Sequence, residues 1–523
     1  MKKIRLAGVL CFWAAMGLQA QTHYDANRLM QTDLNGTARF VGMGGAMGAL
    51  GGDISTMGTN PAGIGIYRSN DAMVSFGFNR TNSESNFYGN QMNDGRTQGS
   101  FDNAGLVYSM KIGNKTALRY VNFGFNYHKA KGFNRRMLMG GEYLNGVSQT
   151  DQMANQANGL PADEFGRKDV WDVNGIGWLS ILGWEGFLIY EDEKSDKKHQ
   201  YVGFPSTSLP YGDFRSKERG GVNSYDINIS FNIEDRTYLG FTLGIYDVDY
   251  TRRTWYREGF DYVEGIGDRS FYTLDNYFQT TGVGLDFKFG LIVRPFADSP
   301  FRVGFSFHTP TLYHLKDYAE ATLLSDISDL KEPATVKQYD VYTPEGGILT
   351  EYDIVTPWKY NVSLGHTVGN YLALGAEYEY SNYGKAKVRD YDGNRMEEPD
   401  GVFMNQLKGV HTVRAGIEYK PLPQLALRVG YNHSTASMDR GAYKVLPFEG
   451  PNSVRTDTEY ANTRAVNSCM AGIGYRGKMF YVDFAYQWKM FHEDFYPFEN
   501  VDMMSTDVKN TRHQALLTVG VRY

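Results

Sequence analysis

The sequence contains few residue groups whose spacing is typical of catalysis or metal binding. The ten His are scattered, with neither an HExxH motif nor a pair four residues apart. Cys469 is the one Cys beyond the first twenty residues, which excludes zinc sites that need several thiolates. No local signature of a nucleophile and its base is present. We therefore expect no enzyme, no bound metal and no cofactor.

The glycine-rich segment 36–65 is a second candidate for chemistry. A phosphate-binding loop needs a fixed spacing of Gly, but Met47 follows Gly42-Met43-Gly44 where GxGxxG requires its third Gly. No Gly-Lys-Ser/Thr follows, so nucleotide binding is disfavoured. A flexible linker is also disfavoured, because the segment has little Ser and many apolar residues. The composition favours a compact plug, in which Gly lets turns lie close to a wall.

Three Arg lie within segments that otherwise alternate between apolar and polar residues. Arg302, Arg414 and Arg428 are cations that could bind a ligand carboxylate. The same polar faces contain Asp and Glu, so an alternative is that these Arg form ion pairs that brace the lining of a pore.

The elements that position these residues are predicted from a period of two. In segment 225–233, Ile and Phe alternate with Asp, Asn and Ser, which is typical of a strand with one apolar face. Fourteen such segments are predicted, near 71–81, 100–111, 117–128, 223–234, 238–249, 275–294, 301–316, 355–367, 371–382, 407–420, 425–435, 463–475, 479–489 and 512–523.

The connections between these segments alternate between short and long, the longest being 129–222. An even strand count with short turns at one end and long loops at the other is typical of an outer-membrane barrel. We therefore predict an all-β fold, a fourteen-stranded antiparallel transmembrane β-barrel over residues 71–523. A soluble sandwich or propeller is disfavoured, because Gly recurs on the polar face and no period near 40–50 residues is found.

Residues 1–20 have the form of a secretory signal peptide, with Lys2, Lys3 and Arg5 before an apolar stretch. A mean hydropathy of −0.44 excludes a helical membrane protein, and a net charge of −6 disfavours nucleic-acid binding. We expect localisation in the outer membrane of a Gram-negative bacterium, with the lipid bilayer as a partner. The terminal Tyr523 fits the aromatic residue that the barrel-assembly machinery recognises.

An apolar stretch over residues 170–190 lies within the longest predicted loop and contains three of the seven Trp. Transport of apolar molecules requires an external surface that takes them from water. Trp178, Leu182, Trp184 and Phe187 are the candidate residues for this ligand capture. The alternative is that they pack loop against loop over the mouth of the barrel.

Residues 36–66 resemble the N-terminal hatch of FadL-type long-chain fatty-acid transporters. The resemblance rests on Gly36-Thr37-Ala38-Arg39, Gly42-Met43-Gly44-Gly45-Ala46, Gly52-Asp53 and the motif Asn60-Pro61-Ala62-Gly63. It implies that residues 21–70 form a hatch plugging the lumen of a fourteen-stranded barrel. It further implies passive import of hydrophobic small molecules, long-chain fatty acids above all, which pass from the outer loops to a pocket between hatch and wall. Release would follow a hatch change or use a gap in the wall.

Two questions stay open at this stage. The motif Asn60-Pro61-Ala62-Gly63 is either a rigid turn that locks the plug to the wall or an element that moves when ligand arrives, and these roles do not exclude each other. The cargo is also open, because type IX secretion shuttle barrels resemble the same family but bind exported proteins. Their similar hatch motifs do not separate them from transporters.

Overall fold

The computed structural model describes residues 22–523 apart from 174, 205–208, 264–266, 329–335, 346, 391, 397–404, 445 and 447–453. Within this part of the chain, fourteen antiparallel strands form a closed barrel, as the periodicity predicts. The expected signal peptide, residues 1–20, lies outside the described residues.

The wall strands are labelled β1 to β14 in chain order, and bulges or turns interrupt four of them, β3, β7, β8 and β9. Their bounds are β1 Asp71–Phe87, β2 Asn90–Lys111, β3 Leu118–Gly132 continued by Arg135–Glu142, β4 Tyr211–Ile233, β5 Thr237–Val263, β6 Gly267–Val293, β7 Arg302–His308 and Leu312–Ser328, β8 Val336–Tyr342, Ile348–Val355 and Lys359–Val368, β9 Leu372–Asn382 and Lys387–Arg389, β10 Gly409–Leu422, β11 Leu425–Ser434, β12 Tyr460–Arg476, β13 Phe480–Tyr496 and β14 Thr506–Arg522.

The barrel closes where β1 pairs with β14 along a continuous register, from Asp71↔Arg522 to Asn86↔Asp507. At the foot of this seam, the backbones of Asn70 and Tyr523 exchange two hydrogen bonds. We call the end with the short turns the lower end and the other end the upper end. The short turns fall where the sequence predicts them, for example between β2 and β3 and between β4 and β5.

The strands are longer than the periodic segments of the sequence. β3 continues to Glu142 and β4 begins at Tyr211, so the connection predicted as 129–222 is reduced to 143–210. The ladder hydrogen bonds continue above the apolar band, as the pairing of 135–142 with 211–218 shows. Outward positions there face polar surroundings, so the alternation disappears from the sequence although the strand does not end.

The two faces of the wall differ as a membrane barrel requires. In β10, Val413 and Ile417 face outward and expose 47% and 48% of their surfaces, whereas Arg414 between them faces inward and is buried. Apolar residues outside and polar residues inside are the pattern of strands that meet lipid on one face only. The polar inward faces surround the N-terminal segment.

The segment before β1 fills the lumen, and we call residues 22–70 the plug. It comprises helix α1 (His23–Met30), the short helix α2 (Ala38–Gly42) and two 3-10 turns, Ile54–Gly58 and Pro61–Ile66. α1 lies high in the lumen, and the turn at Pro61–Ile66 lies against the lower parts of β4, β5 and β6. No helix of the described residues is long and apolar enough to cross a membrane.

The connection 143–210 folds into the upper mouth, and we call it the cap. It comprises helices α3 (Gln149–Ala157), α4 (Ala162–Phe165) and α5 (Trp178–Glu185), a 3-10 turn at Val170–Asp172 and a hairpin of Ile189–Glu191 with Tyr201–Gly203. Its apolar residues pack with inward-facing residues at the tops of the strands, such as Met137, Tyr256 and Leu323. The lumen is therefore covered from above by the cap and filled from below by the plug.

Candidate functional site

Ion pairs fix the plug to the inner wall at two heights. The Asp33 carboxylate accepts hydrogen bonds from Lys489 and Arg512, each at 2.7 Å. Burial alone would raise the pKa of Asp33, but the two cations outweigh it and hold the pKa below its usual range. Lower in the lumen, Arg39 donates to Glu418 at 3.0 Å. Both plug residues are thus anchored as charged groups.

The predicted hatch motif forms a 3-10 turn at the bottom of the plug. Asn60 is fully buried, its side-chain amide donates to the Gly48 carbonyl at 2.9 Å, and its Oδ1 accepts from the Ala62 N–H at 3.2 Å. Pro61 starts the 3-10 turn, a position where its missing N–H loses no bond. Its carbonyl accepts a hydrogen bond from Ser230 of β4 at 2.9 Å. These contacts join the plug to itself and to the wall.

Two wall glycines lie where the plug backbone approaches most closely. A Cβ at Gly416 would overlap the Met43 carbonyl, and a Cβ at Gly240 would overlap the Pro61 carbonyl. Only Gly lets the plug lie directly on the strands at these positions. Inward-facing Gly around a packed plug is what the sequence predicts.

Arg302, Arg414 and Arg428, the predicted partners of a ligand carboxylate, all face the lumen. Arg414 donates to Glu377 at 2.6 Å and to Glu379 at 3.1 Å. Glu377 in turn accepts the Gly48 N–H of the plug at 3.0 Å. This Arg therefore belongs to an internal network that holds the plug.

The other two Arg also have acceptors within the protein. Arg428 donates to Glu418 at 2.7 Å and to Asp483 at 2.5 Å. Arg302 donates to the Leu50 carbonyl of the plug at 2.6 Å, while its Nε is buried with no hydrogen-bond partner among the described residues. The geometry favours the bracing alternative for Arg414 and Arg428 and leaves Arg302 with spare donor capacity.

Two cavities lie between the plug and the wall. The first, about 190 Å³, is lined by plug residues 31–35 and by wall residues that include Lys359, Glu379 and Thr412. The second, about 210 Å³, lies beside α1 and includes Arg135 and Arg252 in its lining. Lys359 forms no ion pair within the described chain. An apolar molecule placed here would strip water from charged groups, at a large cost in free energy.

The wall is interrupted between β2 and β3. The two strands pair from Lys111↔Tyr120 at the bottom up to Asn103↔His128. Above that rung, residues 90–102 of β2 continue to pair with β1, and no ladder joins them to β3 in the described chain. β3 pairs there with β4 alone. The upper part of β2 therefore has an edge without a ladder partner on the β3 side, and we call this break in the ladder the wall gap.

The plug lies at the foot of the wall gap. The Asn35 side-chain amide donates to the Asp102 carboxylate of β2 at 2.9 Å and to the Lys129 carbonyl of β3 at 3.1 Å. The Asp33 N–H donates to the Ala130 carbonyl at 2.8 Å. The plug thus provides β3 with hydrogen bonds at the height where its ladder with β2 has ended. Asn35 and Ala130 also line the first cavity, so this cavity reaches the gap.

Two of the predicted capture residues lie inside the cap. Trp178 and Leu182 are one turn apart on α5 and are buried in the core of the cap. The Trp178 indole N–H donates to the Trp171 carbonyl at 3.0 Å. In this conformation both residues stabilise the cap and are closed to a ligand.

The other two capture residues lie nearer the surface. Trp184 is half-buried and stacks on Phe165, with ring centroids 5.3 Å apart. Phe187 exposes 57% of its surface and stacks on Tyr339 of β8 at 4.3 Å. Phe187 is therefore the predicted capture residue that an external ligand can contact without a rearrangement of the cap.

Sequence reasoning missed the wall gap, Asn35 and Lys359. The gap is a property of strand pairing, and the period of two reports only which face a residue is on. Lys359 lies at the start of a predicted strand, where alternation does not identify it as unpaired. The described residues contain no group of three His, Cys, Asp or Glu that could hold a metal ion.

Together, the wall, plug and cap define a plugged transmembrane β-barrel. No protein-family model and no curated protein matches the sequence. The chain is similar to the crystal structure of a Pseudomonas aeruginosa FadL homologue, with a TM-score of 0.50 and 13% identity over 94% of this chain and 99% of that chain. The fold is thus that of the FadL-type outer-membrane transporters.

Two further solved structures have lower TM-scores. The P. putida toluene transporter TodX aligns with a TM-score of 0.48 at 11% identity, over 94% of this chain and 99% of that chain. The Ralstonia pickettii toluene transporter TbuX aligns with a TM-score of 0.44 at 12% identity, with the same coverage. At such identities the likeness concerns the fold, and ligand and route have to be argued from the residues themselves.

Proposed function

We propose that the protein imports hydrophobic small molecules across the outer membrane of a Gram-negative bacterium by passive diffusion, with long-chain fatty acids as the main ligand class. The observation that carries the proposal is the wall gap beside a lumen that is otherwise plugged and charged. An apolar molecule has no favourable route down such a lumen. A lateral exit at the wall gap, at the upper edge of the lipid-facing band, offers it one. The names of the structural neighbours agree with a hydrophobic cargo.

The route begins at the cap. Phe187 and Tyr339 form an exposed aromatic stack on the outer surface, which provides apolar area for a ligand leaving water. Trp178 and Leu182 become available only if α5 moves away from the cap core. The carboxylate of the ligand then reaches the first cavity while its alkyl tail stays at the wall gap, through which the ligand leaves toward the membrane. No energy source beyond the concentration gradient is needed.

A fatty acid also needs a partner for its carboxylate. Lys359 lines the first cavity without an ion pair among the described residues, and Arg302 has an unpartnered Nε. We assign the carboxylate contact to Lys359, because Arg302 lies lower and is covered by the plug backbone. The alkyl tail would then extend toward the gap rather than across the charged lining.

Assembly and localisation follow the same proposal. Tyr523 is 68% exposed at the lower end of the barrel, where the barrel-assembly machinery could contact it. The partners we propose are therefore this machinery, the lipid bilayer and a hydrophobic ligand.

Equilibrium binding to the purified barrel tests the proposal. We expect the wild-type barrel to bind both oleate and its methyl ester. Lys359→Gln should weaken the binding of oleate by roughly tenfold and leave the binding of the ester unchanged. Lys408→Gln is the matched control, because Lys408 pairs with Asp439 on the surface. A barrel that binds neither oleate nor toluene but retains a secreted polypeptide would contradict import and support a type IX secretion shuttle.

A further inference from the structure

Four basic side chains cluster between the upper part of β2 and the outer faces of β3 and β4. They are Arg96 of β2, Arg136 of β3, and Lys217 and Arg219 of β4, and none of them forms an ion pair within the described chain. Arg96 Nη1 and Arg136 Nε are each buried with no hydrogen-bond partner there. We call these four residues the basic cluster.

The inner face of the same strands shows the contrast. Arg135, next to Arg136 in the chain, faces the lumen and pairs with both Glu218 and Glu493. Glu218 in turn lies between Lys217 and Arg219 but points inward. The inward Arg135 thus has acidic partners, whereas the outward Arg136, Lys217 and Arg219 form no ion pair within the described chain.

The register places like charges directly opposite each other. Arg136 of β3 lies opposite Lys217 of β4, and Lys217 lies opposite Arg253 of β5. Arg253 is neutralised by Asp275, which accepts two hydrogen bonds from it at 3.0 and 2.8 Å. Arg136 and Lys217 have no such partner. Like charges at directly opposed positions destabilise a sheet unless an anion compensates them.

Arg96, on the edge of β2 that lacks a ladder partner, lies close to Arg136 and Lys217. The Asn90 side chain donates to the Gly140 carbonyl of β3 at 2.6 Å, and Met92 lies against Gly140. The upper part of β2 therefore lies over the outer face of β3. Arg96 is on the same face of β2 as Met92, because the two are four residues apart. Arg96 also contributes positive potential at Lys217, as do Arg136 and Arg219. The basic cluster therefore lies in the cleft between the upper part of β2 and the outer face of β3.

The cleft lies above the lipid-facing band. Phe101, Tyr127 and Tyr225 stack side by side on β2, β3 and β4, with successive centroids 5.4 Å apart. Such outward aromatic rows mark the membrane interface of barrels. Arg219 is six residues above Tyr225 on the same strand. At about 3.3 Å per residue and a tilt near 40°, this is roughly 15 Å above the row. The cluster therefore lies outside the hydrocarbon core, on the polar side of the outer leaflet.

We propose that the basic cluster binds the phosphate groups of a phosphorylated glycolipid of the lipid A class in the outer leaflet. Arg binds phosphate in a bidentate manner, and a phosphate carries more charge than a carboxylate. Four uncompensated cations therefore match a phosphorylated headgroup better than a single carboxylate ligand. This site is on the outside of the barrel, and it does not depend on which cargo the barrel transports.

Native mass spectrometry of the full-length barrel in detergent tests the assignment. Wild-type protein titrated with purified lipid A should form a one-to-one adduct. Arg136→Gln combined with Lys217→Gln should weaken that adduct by at least roughly tenfold, because two charge-assisted contacts are lost. Lys217→Arg should retain it. Lys316→Gln is the matched control, since Lys316 is an outward cation already paired with Glu351. Heat-modifiable migration in gels confirms that each variant is folded.

Two further titrations in the same experiment identify the source of the phosphate. Phosphatidylglycerol should bind more weakly than lipid A, and inorganic phosphate at millimolar concentration should not displace lipid A. Equal adducts in the wild-type and double-variant barrels would overturn the proposal. So would equal affinity for phosphatidylglycerol, or displacement by free phosphate, which would indicate a general anion site.

Discussion

Asn35 of the plug donates a hydrogen bond of 2.9 Å to Asp102 of β2, at the height where β2 separates from β3. The same amide reaches the Lys129 carbonyl on the other side of the separation. One plug side chain therefore connects both edges of the wall gap. A displacement of the plug at this point would change the gap, so the two features form one functional unit.

Asp33, two residues away, should hold this part of the plug in place. Asp33→Asn removes the charge that binds Lys489 and Arg512, so we expect frequent channel openings in planar bilayers at neutral pH. In the wild type, the pKa of Asp33 is lowered in the folded state. The contribution of Asp33 to the stability of the folded plug is therefore fully present above the unfolded pKa of about 4. It is lost only as the pH falls through the pKa of Asp33 in the folded state, which is lower. Wild-type conductance should stay low and constant from pH 8 to about pH 4. Frequent wild-type openings at pH 6 would contradict this role.

Removal of the plug should open the lumen. Deleting residues 22–66 leaves the seam between β1 and β14 intact, so the barrel should still fold and show a large, stable conductance. The freed wall charges, such as Glu418, would become hydrated in a water-filled pore. A folded deletion variant with wild-type conductance would show that the cap alone closes the barrel.

Adjacent residues of β10 test the assignment of the two faces. Val413 faces lipid, whereas Thr412 lines the first cavity opposite Glu379. Val413→Arg should impair assembly, because Arg on the lipid face costs about 2–4 kcal/mol near mid-membrane. Thr412→Arg should assemble normally. Heat-modifiable migration measures both, and equal migration of the two variants would contradict the face assignment. Ser230, although inward-facing, is unsuitable as a control, because it contacts Pro61.

The sequence predicts the barrel well, because lipid imposes a strict rule on outward positions. Val413, Ile417 and their equivalents must be apolar, so fourteen strands appear in the alternation. The upper parts of the strands do not appear, since Arg215, Lys217 and Arg219 face outward into polar surroundings. The contacts between the plug and the wall cannot be inferred from the sequence either. Arg39 and Glu418 are 379 residues apart, and nothing local indicates their pairing.

The residues predicted for ligand capture should differ in their response to truncation. Phe187→Ala should lower fatty-acid binding at limiting ligand by about tenfold, because a contact worth about 1.5 kcal/mol or more is lost while the cap stays folded. Trp178→Ala should instead loosen the cap, which limited proteolysis of residues 143–210 would detect. Wild-type binding by Phe187→Ala with an intact cap would show that capture occurs elsewhere.

The candidate site was only partly predictable for a physical reason. The apolar character of Trp178 and Leu182 identifies residues that must leave water, but it does not distinguish a cap core from a ligand surface. The charges of Arg414 and Arg428 likewise indicate a need for anions, which Glu377, Glu418 and Asp483 already meet. Only the three-dimensional structure separates these paired residues from Lys359, which forms no close ion pair among the described residues.

Uptake of labelled oleate by cells that have no other outer-membrane route for it tests the central claim most directly. The barrel is expressed as wild type and as Asp102→Cys with Ala130→Cys, in a Cys469→Ser background, because both positions face inward on opposite sides of the wall gap and a disulfide between them would join its two edges. We predict clear uptake by the wild type, strong loss in the oxidised variant and recovery after reduction, with the disulfide verified by mass. Folded wild-type barrel that imports no more oleate than empty vector, or an oxidised variant that imports as fast as the reduced one, would contradict the account.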